Sequence, residues 1–162
     1  MSPPMLAQRF ISTPDSPLEG VSRDAWAQFV AALEVQPINA VSDSGGLGCY
    51  DIRPRRLVEL GYAKTLCSKR TEKGRQIHVC DFVLPWSQSR FLTDALAQFV
   101  VLSKSIVLYH RALMSGELKV PVGVSTAGAL SILHRGGKGA LTSWPNLFES
   151  TRELYEATKG AF

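Results

Sequence analysis

Residues 33–61, LEVQPINAVSDSGGLGCYDIRPRRLVELG, constrain this chain more than any other stretch. They end an apolar helical run at a single acid, pass through a glycine-rich segment and close on a short basic helix. Upstream, Trp26, Phe29, Val30 and Leu33 follow the i, i+3, i+4, i+7 spacing of a helix with one buried face. Ser22 is the natural N-cap and Asp24 is favourable in the first turn. Glu34 lies four residues after Val30, on the flank of that stripe. Pro37 disfavours helical backbone at Gln36, so the helix is expected to end within about a turn of Glu34. The carboxylate is expected where packed core meets a cleft.

The remainder reads as support for that stretch. A chain of 162 residues, 45% apolar and 20% charged, suits one globular domain with a sizeable core. Residues 1–21 hold four of the nine prolines and show neither helical nor strand periodicity, so they read as an extended arm or linker before a single domain at 22–162. PRRLVEL places proline at a first helical position and Gly61 just past the end, the marks of a short capped helix. A hairpin is expected over residues 65–84, closed by Pro85. A long helix follows over 93–114, apolar on most sides and therefore read as central and buried. Ser125 can cap a helix carrying Leu130 and Leu133 that stops at Gly136-Gly137. Asn146, with Glu149 three residues on, marks the start of a docked terminal helix. The fold class is mainly α with one small hairpin, about five or six helices in all.

Three cysteines are too few for a disulfide scaffold. A two-residue turn at Lys73-Gly74 makes partner numbers sum to 147, which sets Cys67 opposite Cys80. Counting outward makes this a non-hydrogen-bonded pair, close enough to bridge. Two reduced thiols facing each other is the plain alternative. Cys49 has no evident partner in the sequence. No Cys/His cluster has zinc spacing, so neither a metal nor another cofactor is expected.

Several function classes fall away. GGLG at 45–48 and HRGGKG at 134–139 lack the lysine and hydroxyl pattern of a phosphate loop. His78, His110 and His134 are far apart, and no GxSxG or cysteine-nucleophile signature supports a triad. The net charge of +4 allows attraction to anionic partners, yet the basic residues are spread through the sequence and no nucleic-acid-binding motif is present, so nucleic acid is not an expected partner. MSPPMLAQRF shows no continuous apolar run after a basic start and no window approaches the roughly 18 apolar residues of a membrane span, so neither a signal peptide nor a membrane anchor is expected.

The succession of a helix ending in glutamate, SGGLGCYDIRPRRLVELGY, SRFLTDALAQFVVL and TAGALSILHRGGKGAL resembles the lysozyme-like superfamily, over about residues 22–145. It looks closest to the lytic transglycosylase and goose-type lysozyme branch, in versions found in phage particles. The resemblance implies a lysozyme-like fold beside a single cleft. It implies Glu34 as the catalytic acid, Gly48 and Tyr50 as the glycine and aromatic of the second motif, and His134 as the polar residue of the third. Asp51 stands where a glutamine often accompanies the aromatic, Val35 where serine commonly follows the acid, and Leu133-His134 where alanine-tyrosine or alanine-histidine is usual. The implied activity is cleavage of the glycan strand of bacterial peptidoglycan, with Glu34 catalytic and Gly48, Tyr50, Asp51 and His134 on the substrate side. The implied setting is a phage virion, in its tail, or delivery to the bacterial periplasm, with residues 1–21 reaching a neighbouring phage protein. The alternative is a structural virion protein that keeps the fold without catalysis.

Overall fold

The computed structural model describes residues 15–83 and 86–162; in the hairpin, the side chains of residues 65–70, 72 and 75–80 lie outside that description. Six helices and one two-stranded antiparallel sheet occur among the described residues, a mainly α architecture with a small hairpin. In chain order they are α1 (Arg23–Leu33), α2 (Pro54–Glu59), β1 (Ala63–Glu72), β2 (Arg75–Phe82), α3 (Gln88–Phe91), α4 (Ala95–Met114), α5 (Thr126–Thr142) and α6 (Glu149–Thr158). The chain divides into two compact units, one of Met1–Glu34 with Ile106–Phe162 and the other of Val35–Ser105.

The first unit is built on α1, α5 and α6. Ser22 caps α1 by accepting the Ala25 N–H at 3.1 Å, and Trp26, Phe29, Val30 and Leu33 are all buried. Phe29 packs edge-on against Trp26 and meets the Phe162 ring at 5.3 Å. Helices α5 and α6 pack closely because residue 128 is glycine: a Cβ there would lie 2.5 Å from the Tyr155 ring. Within the expected arm, residues 1–14 lie outside the described residues, but Leu18 is buried and its N–H donates to Ser16 Oγ at 3.0 Å.

Two helix boundaries differ from the sequence reading. α5 does not stop at the glycine pair; it kinks at Gly137, where φ is 76° and ψ is −173°, and resumes to Thr142. Only glycine enters that backbone region without strain, so the pair acts as a hinge in the path and not as a stop. The terminal helix begins at Glu149 with Phe148 as its N-cap, two residues later than the expected cap at Asn146. The Asn146 N–H is already engaged in a turn with the Ser143 carbonyl at 2.8 Å.

The second unit contains the glycine-rich segment, α2, the hairpin and α3. Proline at the first position of α2 and Gly61 at φ 84° bound that helix as expected. The hairpin turns at Lys73 and Gly74, both with positive φ, the conformation a two-residue hairpin loop requires. Partner numbers sum to 147 from Glu72↔Arg75 to Ser68↔Val79; the register then shifts twice, first to Thr65↔Asp81 and then to Ala63↔Phe82. Cys67 and Cys80 fall in that interval, and their side chains lie outside the described residues, as does Pro85.

Helix α4 supplies residues to both units. Asp94 Oδ1 accepts the Ala97 N–H at 2.9 Å, which sets the helix start two residues later than expected. It is not buried all round: Leu96 is 61% exposed, Val100 45% and Leu108 40%. The buried residues, among them Gln98, Val101, Leu102, Ser105 and Ile106, keep to helical spacing.

Candidate functional site

Glu34 occupies the C-cap of α1. Its backbone has left the helix at φ −78° and ψ 91°, while its N–H still donates to the Ala31 carbonyl at 3.2 Å. The residue before it, Leu33, is fully buried and the one after it, Val35, is 53% exposed. Glu34 itself is half-buried, with its Oε1 oxygen shut off from solvent. This carboxyl therefore stands between packed core and solvent.

In the second unit the chain after Glu34 is tied to the glycine-rich segment. The Val35 N–H donates to the Cys49 carbonyl at 2.9 Å, and the Gln36 amide donates to the carbonyls of Gly48 at 2.7 Å and Gly46 at 3.3 Å. Leu47 and Ile52 exchange N–H···O bonds of 2.9 and 3.0 Å. Gly48 has φ 74°, and a Cβ there would overlap the carboxamide of Gln98. Only glycine meets both conditions at once. The segment is thus a tight knot of backbone bonds.

Within that knot, Tyr50 and Asp51 point inward. Tyr50 is 0% exposed and Asp51 3%. Asp51 sits at φ 52° and its Oδ1 accepts the Ser42 hydroxyl at 2.8 Å. Arg53 lies 3.8 Å from Asp51 Oδ2 and donates to the Ser44 side chain. Burial holds the Arg53 guanidinium below its ordinary pKa. Arg56 bonds Ser105 Oγ at 2.7 Å, the Ser105 carbonyl at 3.1 Å and Glu59 at 2.8 Å. The aromatic and acid of the second motif therefore pack and brace the segment.

His134 lies on α5 in the first unit, half-buried, beside Arg135, whose Nη1 is shut off from solvent and whose pKa is lowered by burial. Glu34 and His134 thus belong to the first unit, and Gly48, Tyr50 and Asp51 stand together in one turn of the second. Among the described residues no three His, Cys, Asp or Glu come together in a way that could hold a metal ion. No described helix is long and apolar enough to cross a membrane.

Two residues that sequence reasoning passed over hold the glycine-rich segment. Gln36 reads as a loop polar residue, and Gln98 sits inside the apolar run ALAQFVV. The signal for Gln98 was present: an uncharged polar residue on the buried face of an apolar helix needs hydrogen-bond partners from elsewhere in the chain.

Comparison of the chain with protein-family models, with characterised proteins and with solved structures finds no match to any of them.

Proposed function

We propose that this chain is a glycosidase that cleaves the glycan strand of bacterial peptidoglycan, a lytic transglycosylase or muramidase, with Glu34 as its general acid. The observation that carries the proposal is the position of Glu34, a half-buried carboxyl with one oxygen out of solvent at the end of a capped apolar helix. A carboxyl partly removed from water is suited to delivering a proton to a glycosidic oxygen. As the bond breaks through an oxocarbenium-like state, that proton goes to the leaving oxygen and Glu34 is left ionised. The carboxylate then takes the proton of the sugar's own C6 hydroxyl as that oxygen bonds to the anomeric carbon. This closes an anhydro ring and restores the acid. Of the two further carboxyls that could serve a water-dependent route, Asp51 is buried and already accepts from Ser42, while Asp43 is exposed.

Delivery belongs to the same proposal. The protein would be carried in a phage particle, in its tail, or released to the periplasm, with residues 1–21 contacting a neighbouring phage protein. Its net charge of +4 favours approach to an anionic wall.

One observation favours a second reading, a structural virion protein without catalysis: Tyr50 and Asp51 are packed inside their own unit. The deciding experiment is clearing of purified peptidoglycan by the wild type and by Glu34→Gln. Loss of clearing in the variant, about 10² to 10⁴ in rate, with an unchanged melting temperature supports the glycosidase. Equal clearing by both removes Glu34 from catalysis, and a wild type that clears nothing favours the structural protein.

A further inference from the structure

Cations are spread through this sequence, but the acids that balance them are not. Residues 53–75 hold eight lysines and arginines against two acids, a net charge of +6, while the other 139 residues hold ten cations and twelve acids, a net of −2. The whole excess of positive charge therefore belongs to α2 and the hairpin, and α2 packs against β1 within the second unit. Two of the eight cations serve the fold: Arg56 pairs with Glu59 at 2.8 Å and bonds Ser105, and Arg53 lies 3.8 Å from Asp51. Of the other six, Arg55 and Lys64 are exposed near the base of the hairpin, and Lys69, Arg70, Lys73 and Arg75 surround its turn.

The hairpin is fixed at its base and open at its tip. Ala63 and Phe82 are buried, the Phe82 ring lies 5.2 Å from that of Phe91, and the Val83 N–H donates to the Tyr62 carbonyl at 2.9 Å. Tyr62 stacks on Trp86 at 5.1 Å, with the Lys104 ammonium over its ring. At the other end Thr71, Lys73 and Gly74 are exposed, and a Cβ on Gly74 would meet nothing within 4 Å. Five pairs, from Ser68↔Val79 to Glu72↔Arg75, carry the ladder to the turn, so this outer ribbon is about 17 Å long at about 3.4 Å per residue. Its strands lie about 4.8 Å apart, and the major groove of duplex DNA, about 12 Å wide and 8.5 Å deep, admits a two-stranded ribbon with its side chains. A groove also brings phosphates to both edges of a ribbon, where a flat anionic surface meets one face. Lys69 and Arg70 on β1, Arg75 on β2 and Lys73 in the turn supply cations to both strands and the tip.

We propose that the β1–β2 ribbon, with Arg55 and Lys64 at its base, docks on duplex DNA through phosphate contacts that do not depend on base sequence. A nucleic-acid partner is contrary to the expectation from the sequence, because the scatter of cations along the chain hides where acids fail to balance them. The ribbon has no role in the glycosidase reading and is decided apart from it. Fluorescence anisotropy with the full-length chain and a labelled mixed-sequence duplex of about 20 base pairs should show log affinity falling with log salt at a slope of about −4 to −5, as about five phosphates release their counterions. Arg70→Gln combined with Lys73→Asn removes two charges and keeps a turn residue suited to positive φ. The slope should then shrink by about two, and affinity at about 100 mM salt should fall by about tenfold or more. The same charge change in Lys119→Gln with Lys138→Gln should leave the slope unchanged. A single strand of equal length and polyglutamate should each bind at least about tenfold more weakly than the duplex.

Absence of a duplex complex at about 50 mM salt overturns the proposal. So does an unchanged slope in the hairpin variant, which would assign these cations to guarding open strand edges against pairing. An equal loss in the Lys119 and Lys138 variant reduces the effect to net charge, and a single strand or polyglutamate bound as tightly as the duplex removes the groove; either result overturns it as well. Where the paired hairpin variant melts below wild type, Lys73→Asn alone decides, with an expected loss of about one in slope.

Discussion

The carboxylate of Asp51 occupies the space into which a side chain at Gly46 would project: a Cβ there would overlap Asp51 Oδ1 and crowd the Asp51 carbonyl at 3.1 Å. Ser42 joins the two, donating its hydroxyl to Asp51 Oδ1 at 2.8 Å and accepting the Gly46 N–H at 3.0 Å. Gly46→Ala must therefore displace a buried carboxylate from its hydrogen bond. The expected destabilisation is about 1–3 kcal/mol, the range for overpacking a tight interior, read from urea unfolding. In the double variant with Asp51→Ala the two effects should sum to less than their separate values, because the clash is removed. Full additivity would show that the two residues do not share this space.

Two glycines two residues apart should respond with opposite sign. Gly137 has φ 76° and ψ −173°, a region closed to other residues, so Gly137→Ala is expected to destabilise by about 1–3 kcal/mol. Gly139 lies in the resumed part of α5, with open space where a Cβ would go. Gly139→Ala is expected to stabilise by about 0.5–1 kcal/mol through helix propensity. Thermal melting of both variants checks the pair, and a shared sign would contradict the kink.

The two serine caps should differ in weight. Ser22 Oγ accepts the Ala25 N–H in an exposed setting. Ser125 Oγ accepts the Gly128 N–H at 3.0 Å and also donates to the Lys159 carbonyl at 2.6 Å, joining the start of α5 to the end of α6. Ser22→Ala is expected to cost about 1 kcal/mol and Ser125→Ala about 2 kcal/mol, by loss of the cap alone against loss of the cap and a tertiary bond. Equal losses would mean that the bond to Lys159 contributes nothing.

A pH dependence follows from His110. Burial lowers its pKa below the ordinary 6.5, and Glu19 opposes that shift without reversing it. The unfolded chain then takes up a proton at a higher pH than the folded one. The contribution to stability is complete above the unfolded pKa and is lost as pH falls through the lower folded value. The melting temperature should fall on going from pH 7.5 to 5.5, and this fall should shrink in His110→Phe. An undiminished fall in that variant would assign the dependence to other groups.

The features legible in the sequence were those whose energy is local. Ser22 and Pro37 bracket α1 because a cap and a proline act within about a turn of backbone, and Glu34 came out at its C-cap for that reason. The Lys73-Gly74 turn and the register beside it were legible on the same ground, since turn geometry sets the first pairs. The two register shifts beyond Ser68↔Val79 were not, because no residue near the turn dictates where a ladder breaks.

Other features depended on partners far along the chain. Gly136-Gly137 reads as a stop by composition, yet α5 resumes through a glycine-only conformation, a choice that packing of the whole unit decides. The apolar run of α4 could not say which residues face solvent; Leu96 and Val100 do, although their composition matches that of buried neighbours. The sequence alone determined where an acid ends a helix and where glycines must bend the chain, because backbone sterics and short-range capping act without tertiary help. Only the tertiary structure decided that Gln98 reaches Cys49, Ile38 and Phe91, and that Tyr50 and Asp51 turn inward, because such bonds form between stretches whose meeting is set by folding and by no local preference.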